Sequence, residues 1–259
     1  MSAYTQRQNE LNKYRKARKR KKVWTSFTIF IYLIIAAGIV WTIFYAPIFN
    51  ITKVYSTGNI KLSESEIIAA SGCRVGNNIF RSSISSIKAQ VTAIPYVRES
   101  NVRREFPNRV KIWVRESTPM AIISKNEQFL VIDETGKVLE IILDQNEYSI
   151  PTIRGLDVDK YIAGEKFGVT NSKNMDISII CLNEIINSDI HKNIISIDVT
   201  NLISIGLNYE NRINVNLGEP SNMEYKIRML KNIVDTKIAP HEQGVLDFSG
   251  ENPYFRKTD

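Results

Sequence analysis

Hydrophobic and polar positions divide the chain sharply near its start. The stretch VWTSFTIFIYLIIAAGIVWTIFY, Val23 to Tyr45, carries no charged residue over 23 positions. As a helix it would be about 35 Å long at roughly 1.5 Å per residue. That spans a hydrocarbon core about 30 Å thick with modest tilt. Trp24 sits at one end and Trp41 and Tyr45 at the other, where amphipathic rings suit headgroup depth. Thr25, Ser26, Thr28 and Thr42 carry hydroxyls that can bond their own helix backbone. The competing reading is a cleaved signal peptide, whose apolar region is usually about 7–15 residues followed by a small-x-small site. This run is longer, and Pro47 follows Ala46 directly, so an uncleaved anchor is expected.

Beyond the anchor the periodicity changes repeatedly. Pro47 predicts a helix stop and a short stalk, residues 46–50. Ile51 to Tyr55 is β-prone, and Gly58-Asn59 is a turn. Ser63 and Glu66 have capping-box spacing before a helix over Glu64 to Ala70, with Gly72 placed to end it in the left-handed conformation. Ser82 or Ser83 can cap a second helix to about Thr92, with Ile84, Ile87 and Val91 at helical spacing and Pro95 closing it. Tyr96 to Phe106 reads as a strand in which Val97 and Val102 fall on opposite parities, which predicts a bulge or kink. After a turn at Pro107-Asn108, Val110, Ile112 and Val114 alternate with Lys111, Trp113 and Arg115 as the second strand of a hairpin. The order is β-α-α-β-β.

The second half has its own pattern. Met120 to Ser124, Phe129 to Ile132 and Val138 to Leu143 are strand-like, and Pro151 to Gly155 is a short extended piece. A helix is expected from Asn171–Lys173 to Asn187, with Met175, Ile179, Leu182 and Ile186 as its buried stripe. Ile195/Ile197/Val199, Ile203/Ile205/Leu207/Tyr209 and Ile213/Val215/Leu217 alternate with polar residues as a meander with one wet face. Ser221 and Glu224 repeat the capping-box spacing before a helix buried through Met223, Ile227, Leu230 and Val234. Val245 to Phe248 is the last strand, and residues 251–259 form an extension of uncertain order.

Charge gives the anchor a direction. Residues 1–22 hold nine basic residues against Glu10 alone, a net +8, while the whole chain of 259 residues carries +7. The folded remainder is therefore about neutral, and the high pI belongs to the tail. Lys and Arg pressed against a membrane segment stay inside, so Arg15, Lys16, Arg18, Lys19, Arg20, Lys21 and Lys22 are the topology determinants. They predict a cytoplasmic N-terminus and extracytoplasmic domains. A basic run of this kind can also read as nucleic-acid binding; beside an apolar span, topology is the simpler explanation. Two cysteines, Cys73 and Cys181, are too few for a disulfide scaffold.

Several short phrases, in order, resemble the FtsQ/DivIB family of bacterial division proteins. They are Ile51, Val54, Gly58 and Asn59; Leu62, Ser63, Glu66 and Ile67; Gly76, Asn78 and Phe80. A longer phrase follows through Pro95, Val97, Val102, Arg104, Phe106, Pro107, Val110, Ile112, Val114, Glu116 and Pro119. VIDETGKV (131–138), PTIRG (151–155) and VLDF (245–248) are similar to phrases of the family's second external domain. Ser56-Thr57 departs from the family, which more often has an apolar residue just before the Gly. The resemblance implies an α+β chain: a basic tail (1–22), one transmembrane helix (23–45), the stalk (46–50), a POTRA domain (51–117), a mostly antiparallel β-domain with flanking helices (118–250) and the extension (251–259).

It also implies a non-enzymatic scaffold of the cell membrane, enriched at the division septum. That scaffold would bind small coiled-coil partners of the FtsB/DivIC and FtsL kind and help control septal peptidoglycan synthesis. Its docking segment carries over onto an edge strand, Gly244, Val245, Leu246, Asp247, Phe248 and Ser249, and less directly onto Tyr225 to Thr236. The alternative is that Val245, Leu246 and Phe248 are core of a central strand. Tyr254 and Phe255 would extend the contact or take no part.

No catalytic set competes with this. His191 and His241 lie in separate polar segments, and zinc spacings, the nucleophile elbow and the phosphate loop are absent from the sequence, so no cofactor or metal is expected. Asp133-Glu134 and Asp157/Asp159 sit in predicted turns, where carboxylates are solvated or bond nearby amides. Arg98, Arg103, Arg104, Arg109, Lys111 and Arg115 read as the wet face of the hairpin or as a site for an acidic partner. Two rival functions stay in view. A POTRA-bearing envelope-assembly or translocation factor would normally carry several POTRA repeats or a barrel. A cell-wall enzyme would need a catalytic set.

Overall fold

The computed structural model describes residue 24, residues 28–250 and residues 252–258. The basic topology residues Arg15, Lys16, Arg18, Lys19, Arg20, Lys21 and Lys22 lie outside the described residues. Helix α1, Thr28–Tyr45, has a mean hydropathy of 2.2 and holds no buried residue, and it is long and apolar enough to cross a membrane. The Thr28 and Thr42 hydroxyls donate to the Trp24 and Gly38 carbonyls, one turn back, at 2.6 and 2.8 Å. Both hydroxyls are thus satisfied within the helix, which suits an apolar solvent. Pro47 ends α1 and opens a short 3-10 turn, Pro47–Phe49.

Strand β1 (Lys53–Thr57), helices α2 (Glu64–Ala70) and α3 (Ile84–Thr92), and strands β2 (Val97–Glu105) and β3 (Arg109–Glu116) follow in the expected order. The strands form a sheet ordered β1-β3-β2. β1 starts two residues later than expected because Ile51, though buried, spends its N–H and C=O on Asn77 and Gly76. The α2 capping box is complete: the Glu66 N–H donates to Ser63 Oγ at 3.2 Å, and the Ser63 N–H donates to Glu66 Oε2 at 2.8 Å. Ser83 rather than Ser82 caps α3, accepting from the Ser86 N–H at 3.3 Å. In β2 the buried positions are Val97, Ser100 and Val102, so the parity switch falls between Val97 and Ser100 within one continuous strand. Gly58, at φ +90, lies where a Cβ would come within 2.2 Å of the Val114 carbonyl, so only glycine fits.

The later strands are β4 (Ala121–Lys125), β5 (Gln128–Ile132), β6 (Val138–Ile142), β7 (Thr152–Arg154), β8 (Val158–Lys160) and β9 (Gly168–Val169). Helix α4 (Ser172–Asn187) precedes β10 (Ile194–Asp198), β11 (Ile205–Tyr209) and β12 (Ile213–Gly218). Helix α5 (Met223–Lys237), β13 (Gly244–Asp247) and β14 (Tyr254–Lys257) complete the chain. β8 and β9 form a small separate hairpin. The other nine strands make one sheet, ordered β14-β13-β12-β11-β10-β7-β4-β5-β6. Most of its pairs are antiparallel, but β4–β7, β7–β10 and β12–β13 are parallel. Two parallel pairs are joined through helices, β7-α4-β10 and β12-α5-β13. Both step the same way along the sheet between strands of the same direction. Right-handed crossovers must then lay both helices on one face. α4 and α5 accordingly share one core with Ala121, Ile123, Leu130, Ile153, Ile197, Leu207 and Leu246.

Three expectations in this half are corrected. The buried face of α4 is Ser178, Cys181, Leu182 and Ile185, while Met175, Ile179 and Ile186 pack only partly. Apolar residues lie on several sides of this helix, and two of the four positions it buries carry small side chains, Ser178 and Cys181. α5 has no capping box; its N-cap is Asn222 at φ +53, with no side-chain cap. Ile195 and Ile203 are exposed: a register shift between Ile194 and Ser196 turns Ile195 outward, and Ile203 lies before β11 begins.

The described chain falls into two compact units, one of residues up to 55 with 72–87 and 102–112, the other of 56–71, 88–101 and 113 onward. Within the second unit, Glu116 accepts from the N–H groups of Ile60, Lys61 and Leu62 at 2.9, 2.8 and 2.9 Å. There too Asp133, 1% exposed, accepts from the Ser117 hydroxyl and from the Thr135 and Lys137 amides. The Lys137 ammonium donates to the carbonyls of Ile94 and Val97 at 3.2 and 2.8 Å.

Candidate partner-docking site

The site begins with β12, whose Ile213, Val215 and Leu217 are buried and whose Asn214 and Asn216 point the other way. β13 lies parallel to it, with Asn214 opposite Val245 and Val215 opposite Leu246. Leu246 is fully buried and Phe248 is 6% exposed. The expected edge position of Gly244, Val245, Leu246, Asp247, Phe248 and Ser249 is therefore corrected. Gly244–Asp247 is paired on both sides, and Phe248 and Ser249 form the turn that leaves it. The edge is β14, antiparallel to β13 with Leu246 opposite Phe255 and Val245 opposite Arg256. The sequence alone predicts no more than an extension here. Its signal was Pro253 followed by the β-prone pair Tyr254-Phe255, too short to stand out without a neighbouring strand.

Three contacts hold β14 in place. Gly244 leaves room for it: a Cβ there would lie 2.3 Å from the Arg256 carbonyl and 2.7 Å from the Phe255 ring. The Thr258 N–H donates to the Gln243 carbonyl at 2.9 Å, and Lys257 pairs with Glu242 at 3.4 Å. At the turn, Asp247 Oδ1 accepts from the Ser249 hydroxyl and N–H at 2.6 and 2.7 Å, and Asn216 donates to Oδ2 at 3.3 Å. The Ser249 hydroxyl is the main reason the Asp247 carboxyl is held below its ordinary range; partial burial works against it. Phe255 packs against the core, whereas Tyr254 is 58% exposed. On α5, Tyr225 is also exposed, and Arg228 pairs with Glu224 one turn away. The chemistry on offer is a row of main-chain donors and acceptors along β14, flanked by one aromatic and two basic side chains.

Several of the remaining candidates make structural contacts. Arg98 pairs with Glu134 and Arg115 with Glu99, and Arg104 donates to the carbonyls of Ile79 and Ser82 at 2.9 and 2.8 Å. Asp157 bonds Lys125 and Thr170. His191 Nε2 lies 2.6 Å from the Met120 carbonyl. Among the described residues no His, Cys, Asp and Glu come together as a metal site. Cys181 is a buried thiol whose pKa burial pushes up to about 12, which makes it inert.

Comparison with known proteins agrees with this architecture. Residues 49–117 match the family model described as a POTRA domain, FtsQ-type. The cell division protein DivIB of Clostridium botulinum is 25% identical over 244 residues, 92% of this chain and 93% of the relative. DivIB of Clostridium acetobutylicum is 26% identical over 213 residues, 81% of this chain and 83% of the relative. The cell division protein FtsQ of Myxococcus fulvus is 28% identical over 123 residues, 48% of this chain and 43% of the relative. With an FtsQ-type POTRA domain, an apolar helix before it, a mixed sheet after it and DivIB relatives over most of its length, the chain is similar to the FtsQ/DivIB family of bacterial cell-division proteins.

Proposed function

We propose that this protein is a non-enzymatic scaffold of the division complex, anchored by α1 with its N-terminus in the cytoplasm and its domains outside. It acts at the septum. It takes up the external segments of an FtsB/DivIC-like and FtsL-like pair and through them helps control septal peptidoglycan synthesis. The POTRA domain, 51–117, is the recruitment module, and the β-domain, 118–250 with β14 added to it, is the partner platform. The observation that carries the reading is the end of the nine-stranded sheet: β14 pairs with β13 on one side only, so a strand from a partner can add to the other. The cell-division names of the relatives support the process.

Capture of the cognate pair by the full chain in detergent tests this. Adjacent N–H groups of a strand point to opposite sides, so of Phe255→Pro and Arg256→Pro one removes a donor of the open edge and the other a donor of the β13 ladder. Circular dichroism must first establish that each variant is folded. Loss of capture by the variant with the missing outward donor supports strand addition at β14. Undiminished capture by both places the site elsewhere, and no capture by the parent ends the scaffold reading.

A further inference from the structure

The first compact unit holds an apolar rim that the docking site does not explain. Ile48, Val75 and Phe106 are 61%, 65% and 63% exposed. Single exposed apolar residues are ordinary, but each of these three is tied to the point where the chain leaves α1. Ile48 lies three residues past Tyr45. Val75 belongs to a turn fixed to Ile51, through the Gly76 N–H to the Ile51 carbonyl and the Ile51 N–H to the Asn77 carbonyl, both 2.8 Å. Phe106 is reached through rings. Phe44, in the last turn of α1, is 6.3 Å from Phe80, and Phe80 stacks on Phe106 at 5.5 Å.

The junction is fixed as well as close. The buried Asn78 amide donates to the Ile43 carbonyl at 3.0 Å, which satisfies one of the carbonyls a helix end leaves open. The Arg81 guanidinium lies 4.6 Å from the Tyr45 ring centroid.

We propose that this rim, Ile48, Val75 and Phe106 with Arg81, is a lipid-contacting surface seated in the headgroup layer of the leaflet into which α1 emerges. The proposal rests on reading α1 as a membrane span. The headgroup layer extends roughly 5–8 Å beyond the hydrocarbon on each side, and the ring path from Phe44 to Phe106, in steps of 6.3 and 5.5 Å, ends within that layer when it runs partly along the membrane plane. Aromatic rings favour this depth, and an arginine can bury its stem there while its head meets lipid phosphate. The occupant is lipid rather than a partner protein because the rim follows directly on an apolar helix of membrane-spanning length in which no residue is buried.

The test uses the full chain in vesicles of mixed phosphatidylcholine and phosphatidylglycerol. Trp24, Trp41 and Trp113 are replaced by Phe, and Phe106→Trp supplies the only reporter; a second form keeps Trp41 alone. Quenching by lipids brominated high on the acyl chain is compared with quenching by aqueous iodide. The position-106 reporter is expected to lose roughly half its emission to bromolipid and to be shielded from iodide, as for groups at the headgroup–acyl boundary. If circular dichroism shows that Phe106→Trp has disturbed the fold, Ile48→Trp gives the same readout. Quenching at Trp41 with a position-106 reporter open to iodide, or shielded from both quenchers, overturns the lipid rim and leaves the anchor standing. No bromolipid quenching at Trp41 removes the anchor itself and the rim with it.

Discussion

Glu116 shows how one residue of the recognised phrase acts. Its carboxylate collects three backbone N–H groups from residues 60–62, and that geometry needs a two-oxygen acceptor. Glu116→Ala should cost about 1 kcal/mol, the net worth of hydrogen bonds whose donors water can reach, read as a drop in denaturation midpoint. An unchanged midpoint would mean water replaces the carboxylate without loss. Asp247 gives a pH dependence. Its folded pKa lies below its unfolded value, so its stabilising contribution is complete above the ordinary carboxylate pKa of about 3.9 and disappears as pH falls through the folded value. Asp247→Asn should therefore flatten the acid limb of stability below about pH 4. An identical acid limb in parent and variant would count against the Ser249 turn as its source.

At the scale of elements, β14 is held by shape as much as by hydrogen bonds. Gly244 is required because β14 closes over it, a reason invisible until the two strands are paired. Gly244→Ala should push β14 away at a cost of about 1–3 kcal/mol, as overpacking does. Amide exchange at residues 254–257 should accelerate while β11 and β12 stay protected. Equal protection of β14 in parent and variant would show that the strand shifts to accept the methyl. The two helices follow a different rule: identical crossover direction places α4 and α5 on one face, and packing then selects which of many apolar residues each buries.

For the whole molecule, the proposed orientation depends on charge outside the described residues. Replacing Arg15, Lys16, Arg18, Lys19, Arg20, Lys21 and Lys22 with Gln should weaken or invert insertion, because the Lys/Arg bias sets the side on which the tail remains. Protease added outside intact cells should then no longer cleave residues 46–259 uniformly. Uniform cleavage in both forms would assign orientation to another feature.

Much of the architecture was legible from local chemistry. An uncharged run long enough for a bilayer, a capping box at Ser63 and Glu66, a left-handed Gly72 and alternation in Val110, Ile112 and Val114 each act within a few residues. The β-α-α-β-β order follows from those signals alone. Neighbour relations were not legible. Whether Gly244–Asp247 is an edge depends on Tyr254–Lys257 folding back, and four residues carry too little pattern to announce a strand. α4 offers apolar residues on several sides, so the sheet chose Ser178 and Cys181 over Met175 and Ile186. Phe106 counts as one more aromatic in a strand-end phrase until Phe80 links it to the end of α1. Local sequence determined the elements because caps, turns and periodicity act over one to two turns of chain. The tertiary structure alone decided edges, faces and rims, because those are set by which distant segment arrives beside them.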